Sequence, residues 1–264
     1  MRVLPTGIVV PGLTMATAAR SARMDRVLRP VHRWVWSDAG RRVRKLLVFA
    51  DVETDGGRDI LRAAEVTSDP LLRRLYLAHA IDELHHGALF RQRGAELLRA
   101  SGGRASTVFN GNPLPGGHGL DDVSIEGEAD ARLLAFLHVA EKSAAGRFAI
   151  YRELVADDPT TRAIFDEIMR DEVFHMNYTY TQLTRISPRS YRRQVWLARV
   201  SRLWNRVVRL AAGVGALMGA AILMLLYFVL MPPFAWLARR AGKREPQGWA
   251  PVSARADARP TSQY

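Results

Sequence analysis

A doubled spacing of acidic and imidazole side chains constrains this 264-residue chain more than any other feature. Glu53 is followed thirty residues later by Glu83 in Asp82-Glu83-Leu84-His85-His86, and Glu141 is followed thirty-one residues later by Glu172 in Asp171-Glu172-Val173-Phe174-His175. At about 3.6 residues per turn, positions i and i+3 leave a helix on the same side, so the Glu and His of each Glu-x-x-His share a face. The pattern reads as one helical hairpin used twice. Solvated helix residues are the plainer reading, because Glu favours helices and water. Against it, the same stretches carry apolar residues at helical spacing. Phe49 lies four before Glu53, Phe90 seven after Glu83, Phe148 seven after Glu141, and Phe165 and Ile168 precede Glu172. A carboxylate on an apolar face has to be neutralised or paired, and a pair of metal ions would do both.

Four carboxylates and two imidazoles on four helices resemble the ferritin-like di-iron superfamily, the group that holds ferritins, rubrerythrins and carboxylate-bridged oxygenases. The resemblance covers residues 41–188. It implies an all-α fold, a ferritin-like four-helix bundle with a long crossover, holding two iron ions, with manganese the alternative metal. By the same resemblance Glu83 and Glu172 bridge the metals, Glu53 and Glu141 are terminal carboxylates, and His86 and His175 each bind one ion. These six residues are the expected metal ligands and the expected catalytic set. Hard oxygens with one imidazole per ion suit iron or manganese. His85 falls off the ligand face and is read as a surface or supporting residue. His79, His138, Asp82, Asp171, Tyr76 and Tyr178 stand where they could orient ligands or shuttle protons.

Turn signals divide the bundle. A first helix is expected over 42–66, ending at Thr67-Ser68-Asp69-Pro70, and a second over 70–100. Residues 101–128, with GNPLPGG at 111–117, form the crossover. A third helix is expected over 129–156 and, after Asp157-Asp158-Pro159-Thr160, a fourth to about residue 186. One turn after Glu53 stand Gly56 and Gly57, and one turn after Glu141 stand Ala144, Ala145 and Gly146. A helix-interior glycine costs about 1 kcal/mol relative to alanine, so small residues here answer a need for space. Either they open a chamber for dioxygen and an organic substrate, or they let helices pack closely.

Charge separates the chain into parts. Residues 1–45 carry ten Lys/Arg against two acids and residues 189–264 thirteen against two, so by difference from the net +12 the middle is acidic. Between Leu210 and Ala238 no charge occurs, and residues 210–231 are twenty-two uncharged, mostly apolar residues. At about 1.5 Å per residue they match a hydrocarbon core of about 30 Å, so a C-terminal transmembrane helix or re-entrant segment is expected over 210–238. A basic interfacial helix at 189–209 precedes it and a basic, disordered tail at 239–264 follows. Trp196, Trp204, Tyr227 and Trp236 suit an interfacial belt. Arg192, Arg199, Arg202, Arg206 and Arg209 lie before the run and Arg239, Arg240, Lys243 and Arg244 after it, so charge leaves the orientation open. Pro232-Pro233 would end a single span or turn a re-entrant one. Gly215-x-x-x-Gly219 offers a weak contact face for a homodimer.

The arm at 1–40 is basic and amphipathic. Its apolar run at 3–19 is too broken for a convincing signal peptide. Residues 22–45 mix Val27, Leu28, Val31, Trp34, Val35 and Trp36 with seven arginines, which suits either a membrane surface or packing against the bundle. No nucleic-acid module is recognisable, so nucleic acid is not an expected partner. Cysteine is absent, which excludes disulfides, thiolate zinc and a rubredoxin-type iron centre. Electrons would come from an external donor.

The expectation is a membrane-anchored non-haem di-iron oxidase or oxygenase, its bundle on the cytoplasmic side, using dioxygen on an apolar or lipid-like small molecule beside membrane lipid. The di-iron hydroxylases of ubiquinone biosynthesis are similar in this respect, although the C-terminal span and the crossover differ. Two alternatives stand. One is rubrerythrin- or ferritin-like iron oxidation, peroxide removal or iron handling at a membrane. The other is a non-catalytic, metal-stabilised module that recruits a partner to the membrane.

Overall fold

Asp-Pro pairs fix where two of the long helices begin. The computed structural model describes residues 23–102 and 129–242. The readings of the run at 3–19, of nearly all the crossover and of the tail from 243 onward lie outside those residues. Among the described residues all regular structure is helical: α1 (Arg23–Val27), α2 (Arg29–Ser37), α3 (Ala39–Val66), α4 (Pro70–Ala100), α5 (Asp130–Leu154), α6 (Pro159–Ile186) and α7 (Tyr191–Gly242).

The Asp69 carboxylate accepts the backbone N–H groups of Leu71 at 2.8 Å and Leu72 at 3.2 Å, starting α4, and Asp158 accepts that of Thr161 at 3.0 Å, starting α6. Proline sits at the first helical position in both, where a missing N–H costs nothing. Each cap contributes about 1 kcal/mol. Asp38 does the same for α3 through the Arg41 N–H at 2.9 Å, which is why that helix begins at Ala39, ahead of the expected residue 42.

Short turns make α3/α4 and α5/α6 two hairpins, and α4 and α6, the helices that carry the Glu-x-x-His pairs, pack on each other. The inward face of α4 is Leu72, Tyr76, His79, Glu83, His86, Phe90 and Gly94, spaced by threes and fours, and all are buried. The polar members sit mid-face, between two apolar layers. On one side Trp36, Phe49, Phe90, Phe148, Tyr151 and Phe165 form an aromatic layer with ring centroids 5.2 Å apart for Trp36 and Tyr151 and 5.3 Å for Phe49 and Phe90. On the other, Ile60, Leu72, Tyr76, Leu133, Leu134, Leu137 and Leu183 form a largely aliphatic layer.

Gly57 belongs to a seam between helices and not to a chamber. A Cβ there would lie 3.1 Å from the Ala80 carbonyl and 3.2 Å from Glu83 Cβ, while at Gly56 it would meet open space. Gly87 and Gly94 continue the seam on α4. A Cβ at Gly87 would sit 2.5 Å from Thr54 Oγ1 and 3.0 Å from the Ala50 carbonyl, and one at Gly94 2.8 Å from Leu47 Cδ2. The need for space is met by the neighbouring helix.

Of the arm's alternatives, packing holds its end. Trp36 is 1% exposed within the aromatic layer, and the Arg42 guanidinium clasps its carbonyl at 2.7 and 3.0 Å. Met24, Val27, Leu28, Val31 and Trp34, a stripe at helical spacing, remain exposed among Arg26, Arg29 and Arg33.

The chain divides into two compact units at Asn205/Arg206, within α7. In the first unit, Val195 and Ala198 of α7 join the aliphatic layer and the Arg202 guanidinium lies 5.3 Å over the Phe136 ring. In the second, α7 is long and apolar enough to cross a membrane, and none of its most apolar stretch is buried. The helix neither ends nor turns at Pro232-Pro233 but continues to Gly242. The two prolines deprive the Phe228 and Val229 carbonyls of their in-helix donors, a local weakness that the flanking turns carry.

Candidate metal centre

All six expected ligands are buried: Glu53 on α3, Glu83 and His86 on α4, Glu141 on α5, and Glu172 and His175 on α6. Five of them, all but Glu172, fall in two groups, and within each group the ligand atoms lie within 4.8 Å of one another. One is Glu53, Glu83 and His86; the other is His79, Glu83, Glu141 and His175. Glu83 belongs to both. Its Oε1 lies 3.1 Å from His79 Nε2, 3.4 Å from His175 Nδ1 and 3.9 Å from His86 Nδ1. Buried His/Glu groups that could hold a metal ion are therefore present.

Glu172 stands apart from the expectation. It is 1% exposed and close enough to Glu141 and Glu83 to feel their charges, yet it joins neither group, and both its oxygens lack a hydrogen bond. His79 stands apart in the opposite sense. Expected only to support the ligands, it lies among them, with Nε2 3.5 Å from Glu141 Oε1 and its ring stacked on His175 at 3.7 Å between centroids. Its signal was in the sequence: His79, Glu83 and His86 are spaced i, i+4, i+7 and share one helix face.

Two aspartates aim the imidazoles crosswise. His86 Nε2 lies 3.1 Å from Asp171 Oδ2 and His175 Nε2 3.3 Å from Asp82 Oδ2, so the Asp of each motif holds the His of the other. With Nε2–H donating to carboxylate, each Nδ1 carries a lone pair, and neither buried Nδ1 makes a hydrogen bond. Tyr178 OH holds His79 Nδ1 at 2.7 Å. Of the other supporting candidates, Tyr76 donates to Asp130, His138 Nδ1 to the Met176 carbonyl, and His85 reaches Glu167 on the exposed side.

Burial raises Glu53 well above the ordinary carboxylate range, with the Glu83 charge adding to it, and burial raises Glu172 likewise, with the charges of Glu141 and Glu83. Burial also opposes the charge on Glu83, but hydrogen bonds from Glu53 and His79 outweigh it and hold that carboxyl low. Burial disfavours charged His79 as well, yet Glu141 and Glu83 lift it to about 9. Without a cation, then, burial and the neighbouring carboxylates favour the protonated forms of Glu53, Glu172 and His79. A divalent ion would compete with those protons and satisfy the orphaned Nδ1 atoms of His86 and His175, each of which otherwise costs about 1–3 kcal/mol. The donor set, carboxylate oxygen with imidazole and no sulfur, fits iron or manganese.

Comparison with protein-family models, with curated proteins and with solved structures returns no match to this chain.

Proposed function

We propose that the chain is a ferritin-like four-helix protein, anchored in a membrane by α7, that holds two iron ions and oxidises an apolar or lipid-like substrate with dioxygen. The observation that carries this reading is the crosswise pair His86–Asp171 and His175–Asp82, which leaves two buried Nδ1 lone pairs beside four carboxylates. A structural salt-bridge network has no use for unsatisfied lone pairs of that kind, whereas a metal site requires them. The six expected residues would hold the ions, which when bound would supply dioxygen activation and electron storage.

The chain's own residues supply the rest. Asp82 and Asp171 fix the imidazole tautomers, and Glu83 lies where it can be shared. The aromatic layer of Phe49, Phe90, Phe148 and Phe165 keeps water from one side. Tyr178 OH holds His79 Nδ1, and the same ring presents Nε2 to the Glu83 and Glu141 carboxylates. In a monooxygenation one oxygen atom would enter a C–H bond and the other leave as water, with two electrons from an external donor and two protons. Support for the membrane is the exposed 210–231 run, about 33 Å long as a helix. The exposed stripe from Met24 to Trp34, set among arginines, suits a lipid surface too.

The closed glycine seam favours a second reading, rubrerythrin- or ferritin-like iron oxidation or peroxide removal, which needs no chamber for an organic substrate. Aerobic incubation of the reduced, iron-loaded full chain in lipid nanodiscs, with mass spectrometry of added lipid extract, separates the two. An oxygenated or desaturated product supports the first; ferrous oxidation or peroxide consumption without one supports the second. Bound iron that stays ferrous in air and consumes no peroxide overturns both.

A further inference from the structure

We propose that the two metal positions are unequal, with His79 acting as a seventh ligand that makes one of them rich in nitrogen. The inference rests on the di-metal reading above and goes beyond its six near-symmetric ligands. His79 is fully buried, and its two ring nitrogens have different tasks. Nδ1 lies 2.7 Å from Tyr178 OH, which leaves Nε2 to face Glu83 Oε1 at 3.1 Å and Glu141 Oε1 at 3.5 Å, where a bound cation would take the place of its proton. His175 Nδ1 approaches the same Glu83 oxygen at 3.4 Å, from a ring stacked on His79. Two imidazole nitrogens thus converge on one spot beside Glu83 and Glu141. The other group, Glu53, Glu83 and His86, has a single imidazole.

The repeat itself shows that this is no consequence of symmetry. The residue four before Glu83 is His79, whereas the residue four before Glu172 is Ile168, which packs in the aromatic layer. Imidazole favours the later first-row divalent ions and carboxylate the harder ones. The position with two imidazoles therefore fills first and holds its ion more tightly, and the position with one is the exchangeable one.

The test is titration of metal-free full-length protein with cobalt(II) chloride, followed by visible absorption. Wild type should take up cobalt in two steps, the first at least about tenfold tighter than the second. In His79→Ile, which copies the second repeat, the tight step should weaken to merge with the other. An unchanged tight step in that variant overturns the proposal. Should the variant not fold, crystals of wild type loaded with less than one equivalent of cobalt decide the matter by anomalous scattering. A peak bonded to His79 Nε2 is expected, and a peak bonded only to Glu53 and His86 overturns it. Wild type that binds no cobalt at any ratio overturns the di-metal reading itself, a different failure from equal binding at both positions.

Discussion

The two hairpins carry the same ligand pattern but are built by different means. In the first, α3 and α4 close on each other through Gly57, Gly87 and Gly94, so closely that an added Cβ would press on the neighbouring helix. In the second, the corresponding residues are Ala145, Met176 and Leu183, all buried, so side chains fill the gap that backbone fills in the first. The first also has Lys45 where the second has Leu133, and His79 where the second has Ile168. Equivalent ligands can thus be held by close backbone contact or by side-chain packing. What distinguishes the hairpins chemically is the polar load on the first. Exchanging residues between the repeats tests each part of that contrast.

The largest difference is expected between the carboxylates of the two Glu-x-x-His motifs. Glu83 belongs to both ligand groups and Glu172 to neither. Glu83→Ala should leave the detergent-solubilised protein almost free of iron by elemental analysis, whereas Glu172→Ala should retain one ion. Equal loss in both would restore symmetric bridging and erase this contrast.

Next comes the seam. Gly87→Met, which copies Met176, places Cβ against the Ala50 carbonyl, and backbone cannot rotate aside as Thr54 Oγ1 can. A loss of about 3 kcal/mol, or roughly 6–12 °C in Tm, is expected by calorimetry. A change under about 1 °C would mean that the first hairpin tolerates the looser packing of the second.

The crossed aspartates are alike in partner and unlike in exposure, the Asp82 side chain being 2% exposed and that of Asp171 26%. Asn in place of either can still accept a hydrogen bond, but without the negative charge that raises ligand basicity. Metal affinity should fall about 10–100-fold, with Asp82→Asn at the upper end and Asp171→Asn at the lower, where water can substitute. Metal-competition titration gives both constants, and the reverse order would detach burial from ligand support.

Much of this was legible beforehand, because helical periodicity and Asp-Pro caps are local. Pro70 and Pro159 mark helix starts whatever surrounds them, and the six acidic and imidazole residues betray themselves by spacing. What escaped was nonlocal. Whether Gly57 faces a chamber or the Ala80 carbonyl depends on how closely α4 approaches, and nothing within a turn of Gly57 encodes that distance. Gly87 escaped for the same reason. Trp36 looked equally suited to a lipid surface or to a core, since an indole accepts both, and only Tyr151 and Phe165 on distant helices decide for the core. His79 could have been found, but ranking a third imidazole among the ligands needs the stacking partner on α6.

Lys45 provides the smallest and most graded test. Burial lowers its ammonium to about 8 from the usual 10.5, and the Arg147 charge adds to the effect; Asp25 and the Phe49 face, 4.5 Å away, do not fully offset it. Because the folded state releases this proton at lower pH than the unfolded chain, the unfolded state binds more protons between about pH 8 and 10.5. This residue's contribution to stability therefore rises with pH across that window, and its penalty is complete below it. Lys45→Leu, which copies Leu133, should raise Tm at pH 7, and the gain over wild type should shrink as pH approaches 10.5. A gain that stays constant with pH would mean that leucine acts by packing alone, and that the polar load on the first hairpin carries no electrostatic cost at this position.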